Sequence, residues 1–296
     1  MNHCFPKTSA ALLCLLSAWI MISCVRENTE DCISYSLKVR AVDVQGNDLT
    51  DSKTLQKVDV YLFDESGFVR MVPTGSSSDY LFGETNDKKL TLVAWGNLKE
   101  DTLITTTIAP GTSLEAAKVQ LKQQTAGAHI PVTDLFYSRK ELNRPQTRSI
   151  EEQSVVLTME RMVAGICIRT RHLSDRFVYD GNPFILVVKG TGTEVDFTGK
   201  ISGGDADYRP YSIMDNNGDL YVPTFHIFPI EKDNHFIIQL YRSDELLCTL
   251  AEDNDFQPFE ATAGKQTNID LDFRYPEVKI IITIAPWGET NQDVEM

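Results

Sequence analysis

Cys24 is the clearest candidate for a chemically modified residue, because of the segment that precedes it. Residues 10–22 are almost entirely apolar, Lys7 lies before them, and the small residue Ser23 stands directly before the cysteine. This is the layout of a cleaved export signal. The apolar run is shorter than the roughly 20 residues that span a bilayer, which disfavours an uncleaved membrane anchor. We therefore predict a signal over residues 1–23.

The ending Met21-Ile-Ser-Cys24 resembles a bacterial lipobox, in which the cysteine sulfur is acylated and the bond before it is cut. The resemblance implies that Cys24 is the lipidation site. Residues 24–32 carry several carboxylates and predict a solvated, acidic tether. A similar stretch in Bacteroidota lipoproteins accompanies export to the outside of the outer membrane. We therefore expect a protein anchored by lipid to the outer membrane and exposed at the cell surface.

Three further cysteines follow Cys24 in the sequence, Cys32, Cys167 and Cys248. We expect Cys32 to be a free thiol near the tether. Cys167 and Cys248 lie in apolar, strand-like runs, where they could form a disulfide or remain separate buried thiols. No CxxC spacing is present, so no metal framework is predicted.

A search for catalytic motifs is negative: the sequence contains no HExxH, HxH or GxSxG pattern. His226 lies in an apolar run and is expected to be a core or edge residue. Residues 263–267 resemble a phosphate loop only faintly, and residues 215–219 lack the spacing of a calcium loop. We interpret both segments as turns. The sequence therefore predicts a protein that is not an enzyme and has no cofactor, although carboxylates are too numerous to exclude a hydrolase.

Charge and length limit the class of protein. The 296 residues include 42 acidic and 28 basic side chains, a net charge of −14. Such a chain repels nucleic acid, so we exclude a nucleic-acid partner. The length exceeds that of a typical single domain and favours two.

Alternating apolar and polar residues predict strands throughout the chain. The first is residues 33–41, and residues 57–63 and 68–72 form a predicted hairpin around a turn at 64–67. Ser113 offers a helix N-cap, and the spacing after it predicts a short surface helix that ends near residues 123–125. Further strands are predicted at residues 90–95, 135–137, 155–159, 163–168, 184–188, 221–230, 236–241, 246–250, 268–273 and 279–284.

Residues 144–152 are polar and have no periodicity, so we place a domain boundary there. Many short strands with frequent turns are typical of sandwiches rather than parallel sheets. The predicted fold is mostly β, with one sandwich over residues 33–150 and a second over residues 151–296.

The C-terminal segment has two interpretations. Residues 279–285 are strongly β-forming, and residues 286–296 end the sequence. The last strand could fold back into its own domain. Alternatively, it could extend and add to the sheet of another subunit. The residues of this candidate donor strand are Pro286, Trp287, Asn291 and Val294.

The order of these features resembles the FimB-type fimbrial anchor lipoproteins of Bacteroidales, accessory subunits of type V pili. The resemblance covers nearly the whole chain after the signal. It is carried by Ile22-Ser-Cys24, Glu30-Asp-Cys32, Val58-Asp-Val-Tyr-Leu-Phe-Asp64, Asp134-Leu-Phe-Tyr137, Leu157-Thr-Met-Glu-Arg-Met162, Gly264-Lys-Gln-Thr-Asn-Ile-Asp-Leu271, Pro286-Trp287 and Asn291-Gln-Asp-Val294.

This resemblance implies two tandem transthyretin-like Greek-key β-sandwich domains and a role in holding a fimbrial rod to the outer membrane. The implied partner is a fimbrial stalk subunit. Stalk subunits of such pili are thought to lose their first strand to an Arg-specific protease. Here that loss would separate the lipid from the body, so we expect residues 33–44 to remain and the C-terminal strand to be shared.

Three alternatives remain open. A surface glycan-binding lipoprotein would need an exposed aromatic platform, for which Trp95 and Trp287 are the tryptophans outside the signal. A stalk or tip fimbrial subunit would have a similar sandwich fold. A secreted hydrolase would need a catalytic pair that the sequence does not single out.

Overall fold

The computed structural model describes residues 32–50, 53–74, 79–85, 89–124, 127–142, 152–230 and 234–287. These residues form twenty strands and one four-residue helix, α1 (Leu173–Arg176). The strands are β1 (Cys32–Ala41), β2 (Val58–Asp64), β3 (Gly67–Val72), β4 (Asp79–Thr85), β5 (Leu90–Gly96), β6 (Leu103–Thr105), β7 (Lys118–Leu121), β8 (Phe136–Leu142), β9 (Gln153–Arg161), β10 (Ala164–Arg171), β11 (Phe184–Thr191), β12 (Glu194–Asp196), β13 (Ile201–Ser202), β14 (Ala206–Tyr208), β15 (Ile213–Met214), β16 (Leu220–Ile227), β17 (Ile237–Arg242), β18 (Glu245–Leu250), β19 (Lys265–Asp272) and β20 (Lys279–Pro286).

The first core lies inside a seven-stranded sheet with the order β3-β2-β5-β8-β9-β1-β4. Only two residue pairs join β8 to β9, Phe136 with Arg161 and Tyr137 with Glu160. The sheet therefore divides into two layers at this point, and their buried side chains form one cluster. The predicted alternation of the first strand is confirmed, because Tyr35, Leu37 and the other odd-numbered residues of β1 from position 33 are buried.

β1 is an internal strand of this sheet. It pairs with β9 in parallel, from Tyr35 opposite Gln153 to Ala41 opposite Met159. On its other side it pairs with β4 in antiparallel orientation. Both edges of β1 are therefore hydrogen-bonded, and one of its faces is in the core.

The second core lies between a five-stranded sheet, β15-β16-β10-β19-β20, and a four-stranded sheet, β14-β11-β17-β18. Ile168 and Leu271 belong to the first of these sheets, Leu186 and Ile238 to the second, and all four are buried in one cluster. β10 and β19 run in parallel at the centre of the five-stranded sheet. β20 is an edge strand, paired with β19 alone among the described strands.

A third sheet, with the order β13-β12-β7-β6, joins the two parts of the chain. β7 pairs with β12, which places Val119 opposite Val195. The Glu194 carboxylate forms an ion pair with Lys118 and accepts a hydrogen bond from Gln120 at 2.9 Å. Phe197 follows β12 and packs against aromatic side chains of β2 and β5. The second core is therefore continuous with the outer face of the first sandwich.

The helix predicted after Ser113 is wrong, because β7 occupies this part of the sequence. The backbone N–H groups of Ala116 and Ala117 bond to Ser113, but only a turn results. Val119 and Leu121 are buried and alternate with half-buried neighbours, which is the pattern of a strand. Pairing with β6 and β12 on both sides outweighs the weak local preference for helix.

The proposed domain boundary falls largely in residues 143–151, which lie outside the described residues. β9 follows this segment, yet its buried residues Val155, Leu157 and Met159 belong to the first core. Only Met162 and Val163 separate β9 from β10, which belongs to the second core. The division into domains over residues 33–150 and 151–296 stays a prediction.

Candidate functional site

β20 is an edge strand, and part of its outer edge has no partner among the described strands. The backbone N–H of Trp287 donates to the Gly264 carbonyl at 3.2 Å, and the register continues from Pro286 opposite Lys265. In an antiparallel ladder, alternate residues point their backbone groups to the same side. Residues 281, 283, 285 and 287 therefore face β19, whereas Ile282 and Ile284 direct their N–H and C=O groups to the outer edge.

Both ends of this edge are restricted. Asn254 accepts a hydrogen bond from the Ile280 N–H at 2.6 Å and donates one to the Val278 carbonyl at 3.0 Å. At the other end, Pro286 has no N–H to donate. The open stretch is thus limited to the backbone of Ile282 and Ile284 and the adjacent carbonyls. No charged side chain lies between residues 280 and 285, and Ile281 is 51% exposed.

Trp287 follows β20 and packs at the junction of the two cores. Its ring centre lies 4.3 Å from that of His226 in β16. The Arg161 guanidinium, at the end of β9, lies 4.9 Å from the ring centre of Trp287 and 5.3 Å from that of Phe136. A cation over an aromatic face is attracted by the ring quadrupole. Trp287 therefore contacts side chains of β9, which packs in the first core, and of β16, which packs in the second.

Asp134 fixes the position of the Arg161 side chain. Arg161 Nε donates to the two carboxylate oxygens of Asp134 at 2.9 and 3.1 Å. The Arg161 side chain is only 6% exposed, so this ion pair is largely removed from solvent. A buried cation without its partner would be costly, and the pair therefore gives Trp287 a firmly placed surface to pack on.

His226 and Gly165 complete the surface beneath Trp287. They lie opposite each other in β16 and β10. A Cβ at Gly165 would come within 3.2 Å of the Trp287 ring, so the ring packs closely over this glycine. Burial lowers the pKa of His226, with the Asp134 carboxylate opposing this effect. His226 consequently presents a neutral ring to Trp287 at neutral pH.

The structure places two of the four predicted donor residues within the chain's own fold. Pro286 ends β20, and Trp287 packs on Arg161 and His226. Asn291 and Val294 lie outside the described residues, as does the predicted lipidation site Cys24. The sequence did not indicate that Arg161, Asp134 and His226 would meet, because no local pattern connects them.

The structure also describes the two segments interpreted as turns and the cysteines Cys167 and Cys248. The turn predicted at residues 263–267 is confined to residues 263–264, with Gly264 at a φ of 70°, because residues 265–267 already belong to β19. Asp215 forms the predicted turn at 215–219 by accepting backbone hydrogen bonds from Asn217 and Asp219. Cys167 and Cys248 are free, half-buried thiols, so the disulfide alternative does not hold. Burial raises the pKa of both thiols.

The described residues contain no group of three His, Cys, Asp or Glu side chains that could hold a metal ion. No helix in that part of the chain has the length and apolarity needed to cross a membrane.

Together, the fold and this site define a mostly β protein with two packed cores and its last strand at a sheet edge. The chain belongs to the family described as "Fimbrillin-A associated anchor proteins Mfa1 and Mfa2", whose family model matches residues 29–293. The sequence prediction of a FimB-type fimbrial anchor family is confirmed by this match and by the curated relatives.

Two curated relatives are both named "Major fimbrium anchoring subunit FimB" and come from Porphyromonas gingivalis. One is 25% identical over 303 residues, covering 98% of this chain and 98% of the relative. The second is 25% identical over 300 residues, covering 97% and 96%. The similarity therefore extends along almost the full length of both proteins.

Solved structures with similar folds agree with the mostly β architecture. "The fimbrial anchor protein Mfa2 from Porphyromonas gingivalis" is 13% identical, with a TM-score of 0.63 over 86% of this chain and 98% of that one. A Bacteroides thetaiotaomicron structure titled "putative polysaccharide binding proteins" is 15% identical, with a TM-score of 0.64 over 88% and 100%. At these identities the similarity shows the fold alone.

Proposed function

We propose that this chain is a non-enzymatic fimbrial anchor subunit, lipidated at Cys24, that holds a fimbrial rod to the outer membrane through strand sharing. Membership of the anchor-protein family supports this role. The printed names of the curated relatives describe anchoring subunits and support it further. A fimbrial stalk subunit is the proposed partner.

The position of β1 is the observation that carries the proposal. A lipid on Cys24 would connect through the tether directly to the first residue of β1 at position 32. β1 and β9 run in the same direction, and seven residue pairs connect them. A pull on the N-terminal end of β1, resisted at the C-terminal end of β9, acts along the strands in opposite senses. The hydrogen bonds between β1 and β9 are then loaded in shear, so all of them resist the pull at the same time.

Membrane attachment follows from ordinary lipid physics. Each methylene buried in a bilayer contributes roughly 0.8 kcal/mol, and one acyl chain gives only reversible binding. A cysteine that carries more than one chain would be held firmly. Under this proposal the acidic residues of 24–32 keep the folded body in solvent above the membrane.

Retention of β1 is required, since its loss would detach the lipid from the folded body. The segment from Val42 to Lys57, which connects β1 to β2, contains no arginine. An Arg-specific protease therefore has no site in this connection. Arg40 lies within β1 itself, where the strand pairs with β9 and the Arg40 side chain forms an ion pair with Asp48. Loss of β1 would also remove five buried side chains, including Tyr35 and Leu37, from the first core. We propose that β1 stays in place and that the strand is shared at the C-terminal end.

Replacement of Cys24 by Ser tests the anchor role. We expect cells with this variant to assemble fimbriae and release them into the medium, because the rod loses its membrane attachment. Fimbriae that stay on the cell at the wild-type level would contradict lipid anchoring at Cys24. Mass spectrometry of the wild-type protein should detect acyl chains on that residue.

A second variant tests strand sharing. A chain ending at Trp287 lacks residues 288–296 but keeps the packed tryptophan. We expect it to be folded and lipidated but unable to retain fimbriae. Normal retention would exclude residues 288–296 as the shared segment. A truncation from residue 286 would be less specific, because it would also remove the contacts of Trp287 with Arg161 and His226.

The glycan-binding alternative has no support from the tryptophans. Trp95 is fully buried on the outer face of the first sandwich, beside Phe197. Trp287 is packed between Arg161 and His226. Trp95 therefore offers no surface for sugar stacking, and the partly buried Trp287 ring already packs on two side chains of the chain itself. Glycan-array binding at micromolar affinity would revive this alternative. A stalk or tip subunit, in contrast to an anchor, would be located along the rod or at its outer end.

A further inference from the structure

We propose that Trp287 is a clamp that fixes where the C-terminal segment leaves the fold and prevents β20 from being peeled off its sheet. The clamp comprises Trp287 with the two side chains that it packs on, Arg161 and His226. The inference rests on the proposed function, in which a partner takes hold of residues 288–296.

The need for a clamp follows from the position of β20. It is an edge strand held by β19 on one side only. A pull on the C-terminal segment would first separate Trp287 from Gly264 and then Ala285 from Gln266. Hydrogen bonds that open in sequence from one end resist far less than bonds that are loaded together. Trp287 lies at the residue where such opening would begin.

The contacts of Trp287 are suited to stopping this opening. The Arg161 guanidinium lies over its ring at 4.9 Å, and the His226 ring lies 4.3 Å from it. Arg161 is itself held by two hydrogen bonds to Asp134. Withdrawal of the indole would expose the face of a buried cation and open the space above Gly165. These losses would all occur in the first step of opening.

The clamp also connects the two ends of the proposed load path. Arg161 is the last residue of β9, and β9 pairs with β1. Force from the lipid would pass through β1 and β9 to Arg161, and from there to Trp287 and the segment beyond it. The rod would then be attached at the junction of the two cores rather than at the far end of the second one.

This geometry divides the predicted donor residues into two groups. Pro286 and Trp287 belong to the folded body, whereas Asn291 and Val294 follow the clamp. The segment available to a partner therefore begins at Gly288. Residues 288–296 would span about 30 Å if fully extended, enough for a single strand in the groove of a partner subunit.

Hydrogen exchange on the full mature chain tests the clamp without any fimbrial partner. In the Trp287→Ala variant, we expect the amides of Ile281, Thr283 and Ala285 to exchange at least about tenfold faster, since an aromatic pair and a cation–π contact are lost. The amides between β10 and β19 should keep their wild-type rates. Trp287→Phe, which retains an aromatic face, should give an intermediate increase.

The hydrogen-exchange experiment needs a control variant that loses an aromatic ring away from the clamp. Phe256→Ala removes an aromatic ring that is 77% exposed and should leave all these rates unchanged. Wild-type exchange in β20 of Trp287→Ala would overturn the clamp. An equal increase throughout both sheets of the second core would also overturn it, because it would indicate general destabilisation.

Single-molecule pulling between residue 24 and the C-terminal end provides a mechanical test. The first opening event in Trp287→Ala should occur at a clearly lower force than in the wild type. Equal forces would contradict the clamp. If the chain ending at Trp287 still retains fimbriae while exchange in Trp287→Ala is faster, strand sharing through residues 288–296 fails and the structural clamp stands. If exchange is unchanged while that truncated chain loses fimbriae, the clamp alone fails.

Discussion

Phe197 packs edge-on against Tyr61, with the two ring centres 5.0 Å apart and the ring planes at 80°. Tyr61 belongs to β2 of the first sandwich, whereas Phe197 follows β12 in the third sheet. Phe197 is fully buried and also contacts Trp95 at 5.6 Å. This aromatic contact makes the two parts of the chain share one apolar interior.

Replacement of Phe197 by Ala should therefore destabilise both cores together. Loss of a buried phenylalanine costs about 3–5 kcal/mol. We expect one cooperative transition at lower denaturant concentration, measured by far-UV circular dichroism and tryptophan fluorescence. Phe256→Ala, at an exposed position, should shift the midpoint very little. Separate transitions for the two probes in the variant would contradict a shared interior.

A second prediction concerns the ion pair at the junction. Arg161→Ala leaves the Asp134 carboxylate without its partner and removes the cation beneath Trp287. Breaking a buried pair in this way costs about 3 kcal/mol or more. The double variant Arg161→Ala with Asp134→Asn should recover part of this loss, because no unpaired charge remains. Additive losses in a double-mutant cycle, measured by chemical denaturation, would show that the two side chains are not coupled.

The third prediction is a pH dependence that arises from His226. Burial lowers the pKa of His226 in the folded state below its unfolded value of 6.5. The unfolded chain then binds more protons, so the free energy of unfolding falls as pH decreases through that value. The facing charges are Asp134, which opposes the shift, and Arg161, which favours it. Stability is lost with decreasing pH until the folded-state pKa is reached.

His226→Gln is the variant that checks this dependence. It should have a flatter stability profile than the wild type between about pH 5 and pH 7, measured by urea denaturation at a series of pH values. His172→Gln serves as a control histidine variant, since His172 is paired with Asp272 outside the clamp. An unchanged profile for His226→Gln would exclude His226 as the source of the effect.

A fourth prediction concerns β1. Leu37→Ala creates a cavity in the first core and should cost about 2–5 kcal/mol. Lys38→Ala changes the adjacent exposed residue and should be nearly neutral. Limited proteolysis should release the N-terminal segment faster from Leu37→Ala than from Lys38→Ala. Equal release would indicate that β1 is not held by its buried face.

The sequence was sufficient to predict a strand wherever burial of one face required apolar and polar residues to alternate. β1 shows this, because alternate residues from Tyr35 onward must enter the core. β7 shows the limit of this reasoning. Lys118 and Glu194 are 76 positions apart, and strand pairing between their segments decided a conformation that local preference did not. The same limit applies to the partner of β9, since no local signal indicates pairing with β1.

The candidate site was predictable only in its position along the chain. Residues 279–285 are recognisable as a final strand from composition. The contacts of Trp287 could not be predicted, because Arg161 and His226 reach it from separate strands of the two cores. Whether a residue at a sheet edge packs on its own fold or is free to bind a partner depends on side chains that are distant in the sequence.

The Asn254 side chain that bonds to Ile280 and Val278 has a consequence for the behaviour of the protein in solution. An apolar edge strand with unpaired backbone groups would let copies of the chain pair edge to edge. With Asn254 at one end and Pro286 at the other, too little backbone remains for two such edges to form a lasting ladder. The contacts of Asn254 and the position of Pro286 thereby disfavour edge-to-edge association of copies of the chain through this apolar strand.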